Sequence, residues 1–318
     1  MPFPELWPDK VADYRSDATA PSDLDAFWAG TLAETRAFAL DPAFRPVAAG
    51  LPLFEVYDLS FSGFGGHRIR GWFIQPRGGA ACCVVKFIGY GGGRGFAHEH
   101  LFWPATGRAV LVMDTRGQGG GWSLGATPDP VGSDPATAGY MTRGIAAPES
   151  YFYRRVFSDA VRAVEAARAF PGIDPARIAV CGGSQGGGIS LAVAGLMPGL
   201  AAVMPDVPYL CDFARSVGVA SRDPYQEIQR YLAVHRHMEA QAFHTLSYFD
   251  GVHFAARATA PALFSVALMD TICPPSSVHA AYAAYGGPKE IASYTYNDHE
   301  GGGPFQEQRQ LEWLATRL

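Results

Sequence analysis

The chain has 318 residues, 48% of them hydrophobic and 17% charged, with a net charge of −5. These values predict a soluble globular protein with a well-buried core and room for one large α/β domain, 1–318, or two small ones. Lys and Arg (25) are scattered among 30 Asp and Glu, so no nucleic-acid partner is expected.

No apolar run is long enough to span a bilayer, and "MPFPELWPDK" lacks the basic-then-apolar order of a secretory signal. The expectation is a cytoplasmic protein with no membrane partner. The five cysteines (Cys82, Cys83, Cys181, Cys211, Cys273) are odd in number and show no C-x-x-C spacing. They read as buried thiols, neither a disulfide frame nor a zinc site.

In chain order, residues 1–50 form a Pro- and Asp-punctuated N-terminal extension with one amphipathic helix, "SDLDAFWAGTLAETRAFA". Its apolar Leu24, Phe27, Trp28, Leu32 and Ala33 recur at helical spacing, and Ser22 is placed to cap it. "FEVYDLSFSG" and "HRIRGWFIQP", joined by a Gly-rich turn, predict an antiparallel hairpin. Short apolar strands follow in "ACCVVKFIGY", "RAVLVMDT", "ARIAVCG", "LAAVMPDV", "APALFSVALMD" and "EIASYTYND", with helical stretches between most of them. Helix "YFYRRVFSDAVRAVEAARAF" carries one apolar stripe, Tyr153, Val156, Phe157, Ala160, Val161, Val164 and Ala167. Alternating strands and helices predict a mainly parallel sheet with helices on both faces. The leading hairpin and the serine turn described next point to the α/β-hydrolase fold. After the sixth predicted strand, residues 209–258 form an insertion much longer than a usual crossover, expected to be a lid or a subunit contact. Within it Asp223 and Pro224 read as the cap and first residue of a helix running to about Gln241.

The stretch "VCGGSQGGG" (180–188) lies between a predicted strand and a predicted helix. No Lys follows Ser184, which weakens a phosphate-cradle reading. Gly182, Ser184 and Gly186 satisfy G-x-S-x-G, the turn that exposes a nucleophilic serine; the bland alternative is a Gly-rich turn with a solvated Ser. An elbow serine needs a base and a carboxylate, which in this fold follow it in the order acid, then His, at strand ends. Asp270 ends "PALFSVALMD" and His299 follows "IASYTYND". Asp206, one strand earlier, is the other acid candidate. The oxyanion needs two N–H donors. The backbone of Gln185 follows the nucleophile, and Tyr90 in "FIGYGGGRG" offers the second. "HEH" (98–100) and "HRH" (235–237) lack zinc-protease spacing and read as no metal site.

"DTRGQGGGW" (114–122), "GYMTRGI" (139–145), "FYRRVFSDAVRAVEA" (152–166), "GGSQGGG" (182–188) and "DHEGGG" (298–303) together resemble the acetyl xylan esterase and cephalosporin C deacetylase family of carbohydrate esterases. The resemblance runs over nearly the whole chain. It implies a cytoplasmic serine esterase of the α/β-hydrolase fold, without metal or other cofactor, that removes acetyl groups from acetylated xylo-oligosaccharides and cephalosporin C. Ser184, Asp270 and His299 fall on the family's nucleophile, acid and base, and Tyr90 and Gln185 on its oxyanion donors. Arg116 and Gln118 would be buried supports of the site. It also implies a hexamer, with residues 209–258 making contacts. One departure is Ile88, where the family usually has His. The competing readings are a short-chain esterase or peptidase of the same fold, and a non-catalytic binding scaffold.

Overall fold

The computed structural model describes residues 5, 6 and 8–318. Helix α1 (Pro8–Ala12) and helix α2 (Leu24–Arg36) precede the first strand. Strands β1 (Ala43–Pro46), β2 (Phe54–Ser62), β3 (Arg68–Pro76), β4 (Cys83–Lys86) and β5 (Ala109–Met113) lead to α3 (Phe152–Arg168). Then come β6 (Ile178–Gly183), α4 (Gln185–Leu196) and β7 (Ala202–Asp206). Four helices follow, α5 (Phe213–Val219), α6 (Tyr225–Val234), α7 (Glu239–Ser247) and α8 (Gly251–Arg257). The chain closes with β8 (Ala262–Ala267), α9 (Pro275–Ala284), β9 (Lys289–Tyr294) and α10 (Gly303–Leu314).

Among the described residues nine strands form one sheet in the order β1-β2-β3-β5-β4-β6-β7-β8-β9. The pairs β1/β2, β2/β3 and β3/β5 are antiparallel, and the remainder of the sheet is parallel. β4 is flanked by β5 on one side and β6 on the other. The chain therefore winds away from β4 in both directions, and such a reversal opens a crevice at the carboxyl ends of the strands. That crevice receives the loop after β4 and the turn after β6.

The faces of the sheet are covered by different elements. Val85, Leu111 and Val180 pack with α3, whose Tyr153, Val156, Phe157, Ala160, Val161, Val164 and Ala167 are all buried. On the other face Val84, Val110, Val112 and Met204 pack with Trp103 and with Trp313 and Leu314 of α10. This is the α/β-hydrolase architecture, a mostly parallel sheet buried on both sides.

Three expectations need correction. Residues 43–46 are not outside the fold but pair with β2, because Phe44 buries its ring against Phe73 and Phe170. The long segment after Asp206 therefore follows the seventh strand of the sheet rather than the sixth. The cap position of α2 is Asp23, not Ser22, and no side chain caps the helix; Asp23 instead accepts a 2.6 Å hydrogen bond from the Tyr248 hydroxyl. Within 209–258, Pro224 itself occupies the cap position of α6, and Asp223 turns to Arg230 at 2.7 Å. The helix ends at Val234, because the stripe of Ile228, Tyr231 and Leu232 is continued by exposed His235, Arg236 and His237 with nothing to bury. Trp28 of α2 packs on Phe157, Phe249 and Phe254 and donates to the Tyr248 carbonyl at 2.9 Å, so the N-terminal helix seats on both α3 and the long segment.

All five cysteines are buried free thiols. Among the described residues no helix is long and apolar enough to cross a membrane.

Candidate active site

Ser184 sits between β6 and α4 with φ 58° and ψ −121°, a conformation that a side-chain-bearing residue rarely adopts. The surroundings hold it there: its amide donates to Asp206 O at 2.9 Å, and its carbonyl accepts from Gly188 N at 3.1 Å and Tyr209 N at 2.9 Å. The flanking glycines answer a packing need. A Cβ on Gly182 would lie 2.7 Å from Phe87 O, and one on Gly186 would also meet Phe87 O. Only a bare backbone lets α4 start this close to the end of β4.

Asp270 follows β8 and His299 follows β9, and the two meet: His299 Nδ1 lies 2.8 Å from Asp270 Oδ2. The other carboxylate oxygen accepts from Ile272 N at 2.8 Å and Cys273 N at 2.9 Å, so the buried acid is held on both sides. Backbone bonds from Leu268 N to Tyr294 O (3.0 Å) and from Met269 N to Asn297 O (3.1 Å) tie the acid's loop to the histidine's. With Nδ1–H donated to Asp270, Nε2 is left as a proton acceptor. Behind His299 the "EGGG" run reverses into α10 through Gly301, Gly302 and Gly303, all at positive φ (63°, 94° and 47°). That reversal is what the three glycines permit. No hydrogen bond joins Ser184 to His299 in this structure; Ser184 Oγ lies 3.9 Å from Cys273 Sγ. Among the described residues, Asp270, Cys273 and His299 are the set whose donor atoms lie close enough to hold a metal, within 4.8 Å of one another. Two of the three are already bonded to each other.

Asp206, the other acid candidate, lines the same cavity but is bonded to α10 rather than to His299. Its oxygens accept from Gln306 Nε2 at 2.8 Å and Gln310 Nε2 at 2.7 Å, both on α10. Burial pushes its carboxyl up to about 7, against the hydrogen bonds from Gln306, Ser265 and Gln310. An unfolded aspartate titrates near 3.9. The folded chain therefore keeps a proton that the unfolded chain releases, and stability falls as pH rises from about 4 to about 7. In Asp206→Asn this titration is gone. Its melting temperature relative to wild type is expected to rise between about pH 4 and about pH 7. A difference that stays flat across that range would mean that the carboxyl titrates normally.

Among the described residues, neither the Tyr90 nor the Gln185 backbone amide donates a hydrogen bond to the protein. Their surroundings are fixed by side chains. Gln185 Oε1 accepts from Gln118 Nε2 at 2.9 Å and from Tyr153 OH at 2.8 Å, and its Nε2 donates to Ile88 O at 3.0 Å. Gln118 Oε1 accepts from Gly91 N at 2.8 Å. Gln118 thus couples the turn after β6 to the loop after β4, with every buried amide group partnered. Arg116 lies deeper, its Nε and Nη2 on Asp159 at 2.6 and 2.7 Å and its Nη1 3.4 Å from Asp129. It holds the chain between β5 and α3 and does not line the cavity.

Ser184 and His299 open on one cavity of about 670 Å³, shared with Tyr90, Trp122, Pro224 and Ile272. Its other wall carries Lys86, His100, Asp206 and Gln306. The sequence reading missed three participants. Trp122 is 67% exposed at this cavity and donates through Nε1 to Tyr90 O at 2.8 Å; its place directly after "DTRGQGGG" was the available signal. Cys273, a buried thiol, lies beside the Ser184 hydroxyl. Glu227 of α6 accepts from Tyr90 OH at 2.7 and 2.8 Å, Gly139 N at 3.0 Å and Met141 N at 3.1 Å. Burial pushes its carboxyl up, with those hydrogen bonds opposing. The histidine clusters do not converge: His98 is exposed, His100 is buried against Arg94 O at 2.7 Å, and His235 and His237 are exposed.

This fold, with its serine on a strained turn and an acid-histidine pair at strand ends, defines the class as an α/β-hydrolase. An acylaminoacyl peptidase from Pyrococcus horikoshii shares that fold at 18% identity, with a TM-score of 0.62 over 85% of this chain and 42% of its own. Much closer is an acetyl xylan esterase from Paenibacillus sp. R4, 37% identical with a TM-score of 0.92 over 98% of this chain and 100% of its own. Acetyl xylan esterase 1 from Thermoanaerobacterium sp. JW/SL YS485 is 32% identical, with a TM-score of 0.87 over 97% of this chain and 99% of that one. Acetyl esterase Axe7A from Xylanibacter ruminicola is 27% identical over 88% of this chain, which spans 63% of that protein's length. The family model "Acetyl xylan esterase (AXE1)" matches residues 1–317. The chain belongs to the acetyl xylan esterase family, a family of hydrolases acting on carboxylic esters.

Proposed function

We propose that this protein is a serine acetyl esterase that works through an acyl-enzyme. Its substrates are acetylated xylo-oligosaccharides and related small acetyl esters such as cephalosporin C. The observation that carries the reading is the Asp270–His299 hydrogen bond at 2.8 Å, with His299 on the same cavity as the strained Ser184. Ser184 Oγ turns from Cys273 toward His299, whose Nε2 takes its proton as the oxygen attacks the acetyl carbonyl. The N–H groups of Tyr90 and Gln185 receive the oxyanion. His299 returns the proton to the departing sugar oxygen. Water, deprotonated by the same nitrogen, then attacks the acyl-enzyme and frees acetate and Ser184. No step calls for a metal or cofactor. Trp122 offers its exposed indole to a sugar ring at the mouth of the cavity, and Ile88, in place of a histidine, leaves the loop's backbone donor intact.

The test is a comparison of nitrophenyl acetate, butyrate and octanoate, followed by acetate release from acetylated xylo-oligosaccharides. Acetate is expected to be the best of the three esters, and the oligosaccharide to be deacetylated. Preference for octanoate would reject the acetyl assignment.

A further inference from the structure

The phenol of Tyr90 is held by a residue far away in sequence. Its hydroxyl donates to both oxygens of Glu227, 137 residues away, and accepts from Tyr140 N at 2.8 Å. The same carboxylate collects Gly139 N at 3.0 Å and Met141 N at 3.1 Å. A carboxylate has acceptor sites for all of these and no hydrogen to offer in return. Glu227 is buried, and its donors come from two separate loops, those after β4 and before α3. Edge-on contact of the Tyr90 ring with Tyr140, centroids 5.2 Å apart, closes the packing around the phenol.

The rest of Tyr90 is fixed from other directions. Its carbonyl accepts from Trp122 Nε1 at 2.8 Å, and the next amide, Gly91 N, is taken by Gln118. Side chain, carbonyl and following peptide are thus all pinned, while the Tyr90 amide itself faces no protein acceptor. An oxyanion donor stabilises the transition state to the degree that it is aimed in advance.

We propose that Glu227 is a positioning residue for the oxyanion hole: it anchors the Tyr90 phenol so that the Tyr90 N–H points at the tetrahedral intermediate. This gives the long segment between β7 and β8 a part in the chemistry, since α6 lines the cavity at Pro224 and, one turn later, fixes the donor at Glu227. The inference rests on the acyl-enzyme reading above.

The experiment compares Glu227→Gln and Tyr90→Phe with wild type on nitrophenyl acetate. It also measures inhibition by methylboronic acid, which forms a tetrahedral adduct on the serine with an oxygen in the hole. Glutamine keeps the volume but turns an N–H₂ toward the Gly139 or Met141 amide; phenylalanine keeps the ring and the backbone N–H but loses the anchor. Both are expected to lower kcat by about 10- to 100-fold with KM within about twofold, the signature of an interaction made only in the transition state. The boronate inhibition constant should rise by the same factor as kcat/KM falls, a correlation that a merely structural role would not produce. The double variant should be no slower than the slower single variant.

Folded Tyr90→Phe with wild-type kcat and boronate affinity would overturn the proposal, and it does so even where Glu227→Gln fails to fold. Ser184→Ala in the same assay separates the two levels. An inactive Ser184→Ala beside unaltered Tyr90 and Glu227 variants removes this inference alone. An active Ser184→Ala removes the reading beneath it.

Discussion

Ser184→Ala is expected to lower kcat for acetyl ester hydrolysis by about 10⁵-fold or more, because the acyl-enzyme has no other oxygen on which to form. Residual turnover above the uncatalysed rate would come from the oxyanion donors acting on water, which survive the substitution. Folding gives a second readout. The φ of 58° at Ser184 is a cost on the order of 1–3 kcal/mol that only a required geometry justifies. Alanine keeps that strain, so the Ser184→Ala melting temperature should match that of wild type. Glycine relieves it, offset in part by the freer unfolded chain. Ser184→Gly is therefore expected to be equally inactive and at least as stable. Loss of activity together with a large loss of stability in Ser184→Ala would instead mark the serine as structural.

Asp270→Asn is expected to fold and to lower kcat by roughly 10⁴-fold, with little change in KM. The asparagine oxygen can keep the bonds from Ile272 N and Cys273 N. Its amide then faces His299 Nδ1 as a donor, which places the imidazole proton on Nε2, where Ser184 needs an acceptor. Asp206→Asn tests the other acid in the same assay. Its carboxylate is committed to Gln306 and Gln310, so activity should stay close to that of wild type. The reverse order, with Asp206→Asn inactive and Asp270→Asn unaffected, would transfer the role to Asp206.

Much of this was legible in the sequence because it depends on local rules. Strand, tight turn and helix around Ser184 follow from an apolar run, close-packed glycines and a small-residue helix. Asp270 and His299 could be picked out because each lies in the loop just after an apolar strand, where this fold gathers its functional loops. The strand at Ala43–Pro46 escaped notice because its reason to form is the ring of Phe44 meeting Phe73 and Phe170, contacts that periodicity in four residues cannot encode. The continuous helix expected through Gln241 failed for the opposite reason: spacing continued where no partner surface did.

The residues alone carry the order of elements and the strand-turn-helix around Ser184, since backbone conformation there is set largely by neighbours in the chain. That His299 bonds Asp270 while Asp206 bonds α10 is visible only in three dimensions, because each acid lies at or just after a strand and the contact spans 29 residues. The tertiary structure alone placed Glu227 against Tyr90, across 137 residues. A hydrogen bond needs two groups within about 3 Å, and separation along the chain carries no record of that distance.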